Sequence, residues 1–273
     1  MKKFNKILIL AILLLVVSLL SSLTLAADKT KIYIPVISKG FQHQFWQAVK
    51  LGSEKAAKEF DVTITFEGPE GSGKSSQITL LAEFLQDKGF PVLATREPGG
   101  TRIGDQVRDT LHDVANTEMV APAEFLLYSA SRAQLVRQRI QPTLDAGGIV
   151  LCDRYADSTI AYQGYGRGLN LDDVRQITRF ATGGLTPDLT FLLDIDVERG
   201  LARRVEGAAE MNRLDLEEIA FHQRVRDGYH QLAKLDPPRW LIVDADRAQE
   251  IVQEELREIL STRVELPNLR KAS

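Results

Sequence analysis

Apolar residues in this chain fall into three patterns. Ile7 to Leu20 is apolar except for Ser18. From Lys31 onward, short apolar runs alternate with longer stretches whose apolar residues recur every three or four positions, and this alternation separates strands from amphipathic helices. It predicts strands at 31–38 (KIYIPVIS), 61–67 (DVTITFE), 91–95 (PVLAT), 148–153 (GIVLCD), 189–195 (LTFLLDI) and 239–245 (RWLIVDA). Helices are predicted at 41–60, 75–88, 103–114, 124–140, 172–181, 221–233 and 248–260. In the second of these, Ile78, Leu81, Ala82 and Leu85 share a face and Gly89 supplies a stop. From residue 61 onward, five short apolar strands separated by helices predict an α/β domain with a five-stranded parallel sheet covered on both faces. Such sheets bind ligands beyond the carboxyl ends of their strands.

The first apolar run follows Lys2, Lys3 and Lys6 and precedes the small residues Ala26 and Ala27, with no acid in between. A basic start, an apolar centre and a small-residue end predict that 1–27 is a secretory signal peptide, with an uncleaved membrane anchor as the alternative. Any membrane contact is expected only there. Composition excludes other classes. With 44% hydrophobic and 26% charged residues the chain is neither disordered nor collagen-like. Its net charge of −3 provides no overall basic field for nucleic acid. A lone cysteine, Cys152, excludes an internal disulfide and a zinc-thiolate cluster.

The strongest chemical signal is Gly68-Pro69-Glu70-Gly71-Ser72-Gly73-Lys74-Ser75, followed by Ser76. It matches G-x-x-x-x-G-K-[ST] and lies between a predicted strand and a predicted helix, the context this phosphate-binding loop requires. The glycines let backbone N–H groups turn inward around phosphates, and the helix start adds its positive end. Lys74 is expected on the β- and γ-phosphates of a nucleoside triphosphate and Ser75 on Mg²⁺.

Thr95-Arg96-Glu97-Pro98-Gly99-Gly100-Thr101 runs on from the 91–95 strand. Asp153-Arg154-Tyr155 ends the 148–153 strand, trailed by Ser158, Thr159, Tyr162, Gln163 and Gly164. Together with FEGPEGSGKS at 66–75 and YSASRAQ at 128–134, these segments resemble the bacterial thymidylate kinases over about residues 62–260. The resemblance implies a P-loop, nucleoside monophosphate kinase-like fold and ATP-dependent, Mg²⁺-requiring conversion of dTMP to dTDP. Arg154 is placed to hold the acceptor phosphate in line with the donor. Asp153 holds Mg²⁺ through water or serves as a structural partner of Arg154. Arg96 is a second phosphate clamp or a surface ion pair. The resemblance further implies that Tyr128 stacks on thymine, its alternative being burial in the core, and that Arg132 donates to the base. Tyr162 would crowd the sugar's 2′ position. Glu70 would approach the 3′-hydroxyl or remain an exposed loop acid. Pro98, Ser158, Thr159 and Gln163 complete the expected acceptor pocket. No general base is required, because the acceptor is already an anion.

The polar stretch after LLDIDVERGLARR, running to Leu216, reads as a mobile lid. Arg203, Arg204 and Arg213 are its candidates for closing on ATP, chiefly Arg203 and Arg213; each is otherwise a solvated helix charge. Residues 28–60 resemble the opening of a periplasmic sugar-binding protein, so the chain reads as a leader, a strand-helix fragment and, from 61 to 273, a kinase domain. In the implied kinase sheet both edges of the phosphate-loop strand are occupied. The 31–38 strand is therefore expected at the periphery, with Phe41, Phe45 and Trp46 partly exposed. A kinase belongs with cytoplasmic ATP, whereas the leader points to export. Two other readings stay open: an exported sugar-binding fragment with a passive C-terminus, and a kinase for another nucleoside monophosphate. Dimers are common in the family, and no interface signature stands out here.

Overall fold

The computed structural model describes residues 61–207 and 212–264. The leader and the 28–60 fragment, with Phe41, Phe45 and Trp46, lie outside the described residues. Among the described residues no helix is long and apolar enough to cross a membrane.

Five parallel strands form one sheet: β1 (Val62–Glu67), β2 (Val92–Arg96), β3 (Ile149–Asp153), β4 (Leu189–Asp194) and β5 (Trp240–Asp244), in the order β2-β3-β1-β4-β5. β1 is central, pairing Phe66 with Asp153 of β3 on one side and with Phe191 of β4 on the other. Its burial on both faces explains the unbroken apolar and β-branched run VTITFE. The edge strand β2 is half exposed.

Helix α1 (Lys74–Asp87) returns along the sheet, and α2 (Arg102–His112) follows β2. A long rod begins as α3 (Ala121–Leu135), widens into a π turn at Val136–Ile140 and ends as α4 (Gln141–Asp145). The sequence pattern predicts a plain helix over 124–140. Pro142 cannot donate a backbone hydrogen bond, and its ring would clash with the carbonyl four residues back; the wider turn just before it absorbs the mismatch. After β3 come a short α5 (Ala156–Thr159) and a π turn at Ile160–Gly166, neither visible in the apolar pattern. The remaining helices are α6 (Leu171–Thr182), α7 (Val197–Glu206), α8 (Ile219–Leu235) and α9 (Gln249–Arg263), with a 3₁₀ turn at Arg213–Leu216.

Alternation along the strands divides the core. Ile64, Phe66, Phe191 and Leu193 meet Ile78, Leu81 and Leu85 of α1 and Val252, Leu256 and Leu260 of α9. On the opposite face, Val150 and Cys152 pack against Leu135, Val136 and Ile140, while Leu192 packs with Phe221, Val225 and Tyr229. Cys152 is thus an inert core residue whose thiol burial pushes well above its ordinary pKa.

Leu81 is fully buried between α1 and the sheet. Leu81→Ala is expected to lower the unfolding free energy by roughly 2–5 kcal/mol, read from urea denaturation. A loss under about 1 kcal/mol would contradict tight packing on this face.

Candidate active site

β1 ends at Glu67, and the chain turns sharply into α1 through residues 68–73. Gly71 (φ +71) and Gly73 (φ +82) take left-handed conformations. A Cβ on Gly71 would lie 1.9 Å from the Gly200 carbonyl of α7, and one on Gly200 would lie 2.3 Å from the Glu70 carbonyl. Loop and helix therefore interlock backbone to backbone, and only glycine fits on either side.

Inside this loop the Lys74 ammonium donates to the carbonyls of Gly68 (3.0 Å) and Pro69 (2.8 Å) and to Ser72 Oγ (3.1 Å). Burial first, and then the charge of Arg154, lowers its pKa to about 8. Ser75 Oγ donates to Asp153 Oδ2 at 2.6 Å, joining the loop to the end of β3.

Arg154 follows directly. Its backbone is left-handed (φ +64), unusual for a non-glycine residue and held by its N–H donating to the Phe66 carbonyl at 2.9 Å. Its Nη1 donates to the Gly68 carbonyl (3.1 Å) and to Tyr229 Oη (3.0 Å). Its Nη2 lies 3.0 Å from Glu70 Oε1, and the guanidinium rests over the Tyr162 ring at 4.8 Å. Burial disfavours that charge, but Tyr162, Tyr229, Glu70 and Asp153 outweigh it and hold the pKa well above its ordinary value. Glu70 also accepts from Tyr162 Oη at 2.6 Å, and His222 Nδ1 lies 3.4 Å from its other oxygen. Burial pushes this carboxyl up, yet Arg154, His222 and Lys74 together keep it below the ordinary carboxylate range. Glu70 is therefore a paired interior acid and not an exposed loop charge.

These groups line a cleft of about 330 Å³ beyond the carboxyl ends of β1, β2 and β3. Nearly every expected residue meets there: Glu70, Gly71, Gly73, Lys74, Ser75 and Ser76 from the loop, and Arg96, Pro98, Tyr128, Arg132, Asp153, Arg154, Ser158, Thr159, Tyr162 and Gln163 from the other side. Gly68, Pro69 and Ser72 serve from behind by accepting from Lys74. Arg96 is half exposed and sits 3.6 Å from Asp105. Tyr128 is half-buried at the cleft wall. Arg132 is buried, with Nε on Glu97 (2.7 Å), Nη1 on Thr159 (2.8 Å) and Nη2 on the Tyr155 carbonyl (3.0 Å). The Glu97 carboxylate more than offsets burial and keeps this guanidinium charged.

Two of the candidate lid arginines stand outside this cleft. Arg203 does not face this cleft: it donates to the Ala245 carbonyl (2.8 Å) and to Asp246 (2.6 Å). It lines a second cleft with Gly71, Ser72, Gly73, Ser76, Arg247 and Gln249. Successive helical residues point about 100° apart, so Arg203 and Arg204 diverge, and Arg204 is the one in the main cleft, 2.6 Å from Asp215. Arg213 is drawn away by the buried Glu124 carboxylate and the Leu111 carbonyl. Of the lid stretch, 208–211 lie outside the described residues, and the part before them is helix α7.

The expected set also omits several residues. Arg108 and His112, one turn apart on α2, face the cleft, as do Glu97, Leu214 and Asp215; Asn212 lines it as well and caps the 3₁₀ turn. The i,i+4 spacing of Arg108 and His112 was a usable signal. His112 reports the local field: burial, then Arg108, Arg154, Arg204 and Arg213, push it down to about 4. A cleft this positive is built for a polyanion. Glu124, Tyr128 and Arg132 share one face of α3. Glu124 there gathers Gln163, Arg167 and Arg213.

The thymidylate kinase family profile matches residues 66–256. A thymidylate kinase of Roseiflexus sp. (strain RS-1) is 54% identical over 208 residues, covering 72% of this chain and 92% of that protein. One from Herpetosiphon aurantiacus is 51% identical, covering 71% and 92%. The crystal structure of thymidylate kinase from Ehrlichia chaffeensis superposes with a TM-score of 0.60 at 33% identity, covering 73% of this chain and 98% of that one.

Gly200→Ala should displace the phosphate loop and raise the KM for ATP by about tenfold or more, since ångström-scale misplacement is that costly. An unchanged KM would contradict the interlock. A second expectation concerns Glu67, fully buried at the end of β1. Burial first, then Asp157, raises its pKa to about 8. The folded state therefore keeps a proton that the unfolded chain releases above about pH 4.5, and stability falls as pH rises through that window. Glu67→Gln cannot ionise. Its Tm should gain on the parent's by roughly 5 °C or more between pH 5 and pH 8, and a pH-independent difference would contradict the shift.

Proposed function

The chain belongs to the thymidylate kinase family, and from that premise we infer how its own residues phosphorylate dTMP with ATP, giving dTDP and ADP. One observation carries the reading. Lys74 and Arg154 both donate to the Gly68 carbonyl and line one cleft, so the donor-side and acceptor-side cations stand next to each other.

Lys74 exchanges its carbonyl partners for the β- and γ-phosphates of ATP, while the loop amides surround the phosphate chain. The donor's base and sugar run over the loop toward the second cleft, whose Arg203 is fixed by Asp246. Arg154, with Arg96 at the rim, presents the acceptor phosphate in line, and the nearby Arg108 adds positive charge. Catalysis is alignment plus neutralisation of the charge that spreads over the transferring group. The position of Arg204 in the main cleft supports it as the lid arginine for that work.

Tyr128 offers its ring to the pyrimidine. Arg132 Nη1 carries a second N–H besides the one given to Thr159, which suits a carbonyl oxygen of the base. Tyr162 and Glu70, held together at 2.6 Å, form the wall that the sugar meets. The Ser75 hydroxyl and the Asp153 carboxylate, 2.6 Å apart beside Lys74, are a hard-oxygen pair that suits Mg²⁺ completed by phosphate and water. When bound, the ion neutralises phosphate charge. On this reading the phosphotransferase unit begins near residue 61.

A coupled ADP-release assay of the full chain with dTMP, dUMP, UMP, CMP and AMP tests the reading. dTMP should give the highest kcat/KM, at least tenfold above UMP. Lys74→Ala and Arg154→Ala should each lower kcat by about 10²–10³. Inactivity with every acceptor would remove the kinase reading, and preference for another nucleotide would reassign the acceptor.

A further inference from the structure

Glu67 stands directly before the phosphate loop, fully buried, and among the described residues its hydrogen-bond partners include no cation. A carboxyl buried this way is costly unless its oxygens are satisfied. Here both oxygens are used. Oε1 accepts from the Tyr155 backbone N–H at 2.9 Å. Oε2 meets the Ser158 hydroxyl and, at 3.2 Å, the Tyr229 hydroxyl. Those two hydroxyls are themselves 2.7 Å apart.

Two of these partners lead to Arg154. Tyr155 is the residue after it, so its amide fixes the chain just beyond the left-handed turn at φ +64. Tyr229 Oη accepts from Arg154 Nη1 at 3.0 Å. The same Nη1 donates to the carbonyl of Gly68, the residue that follows Glu67. Backbone and side chain of Arg154 are therefore both tethered to one interior carboxyl, from two directions. Ser158 adds a direct tether to the cleft wall.

We propose that Glu67 is a positioning residue for phosphoryl transfer, aiming Arg154 at the acceptor phosphate through the Tyr155 amide and the Tyr229 hydroxyl. This rests on the reading of Arg154 as the acceptor-phosphate clamp. The carboxyl works in its neutral form at pH 7, in keeping with the raised pKa. An uncharged group that accepts through one atom and exchanges hydrogen bonds through the other is closely imitated by an amide, and not by an alkyl chain of similar size. A role limited to filling space would make the opposite prediction, since leucine fills the volume without a polar atom to satisfy.

The test compares full-length Glu67→Leu, Glu67→Gln and Tyr229→Phe with the parent, by steady-state kinetics in both substrates and thermal melting. Glu67→Leu should lose about 10–100-fold in kcat, the usual cost of removing an outer orienting partner, with the KM for ATP within about twofold. Glu67→Gln should recover most of that loss. Tyr229→Phe should lower kcat by about threefold to tenfold, and this loss should disappear in an Arg154→Ala background, because a residue acting through Arg154 has nothing left to aim. The proposal is overturned if Tyr229→Phe matches the parent, if its loss persists undiminished beside Arg154→Ala, or if leucine serves as well as glutamine. Should Glu67→Leu fail to fold, Tyr229→Phe and its double-mutant cycle decide alone. A parent chain inactive on dTMP would instead count against the functional reading, which separates the two failures.

Discussion

At the mouth of the central strand, the peptide carbonyl of Gly68 receives hydrogen bonds from an ammonium and a guanidinium at once. Two cations converging on one neutral acceptor repel each other, and Arg154 accordingly figures among the causes that lower the pKa of Lys74. Glu70, Asp153 and the loop carbonyls hold the arrangement together when no phosphate is bound. On the proposed reading, a chain of phosphates passing between the two side chains relieves that repulsion. It does so most where negative charge is most spread, in the transition state.

Everything else in the fold serves to keep those two groups adjacent. The order β2-β3-β1-β4-β5 sets β3 beside β1, so that Arg154 follows one strand end and the phosphate loop follows its neighbour. The left-handed backbone at Arg154 is a local strain that this placement requires, and the glycine interlock between the loop and α7 lets the two approach without one. Around the pair, α2 and α7 contribute further positive charge, and α3 lays Glu124, Tyr128 and Arg132 along one face. The aromatic ring thereby stands between an acid that gathers arginines and an arginine that lines the cleft.

Much of this was legible in the sequence, for physical reasons that differ by residue. The loop at 68–75 was readable because its chemistry lies in contiguous backbone and one lysine. Arg154 and Arg96 were readable because they sit at ends of apolar strands. That Arg203 and Arg213 lie outside the main cleft was not readable, because their directions depend on helix phase and on partners, Asp246 and the buried Glu124, that are distant in sequence. Glu67 looked like the last residue of a strand. Its function resides in hydrogen bonds to residues 155, 158 and 229, which no local pattern encodes. The π turns at 136–140 and 160–166 were invisible for a similar reason, since periodicity registers which face is apolar and not a local widening of the helix.

The most direct test of the central arrangement is a crystal structure with adenosine and thymidine joined through a five-phosphate chain. That chain should pass between Lys74 Nζ and the Arg154 guanidinium, with the thymine against Tyr128 and both cations released from the Gly68 carbonyl onto phosphate oxygens. A phosphate chain bound elsewhere, or an Arg154 still engaged only with Glu70 and Gly68, would contradict it.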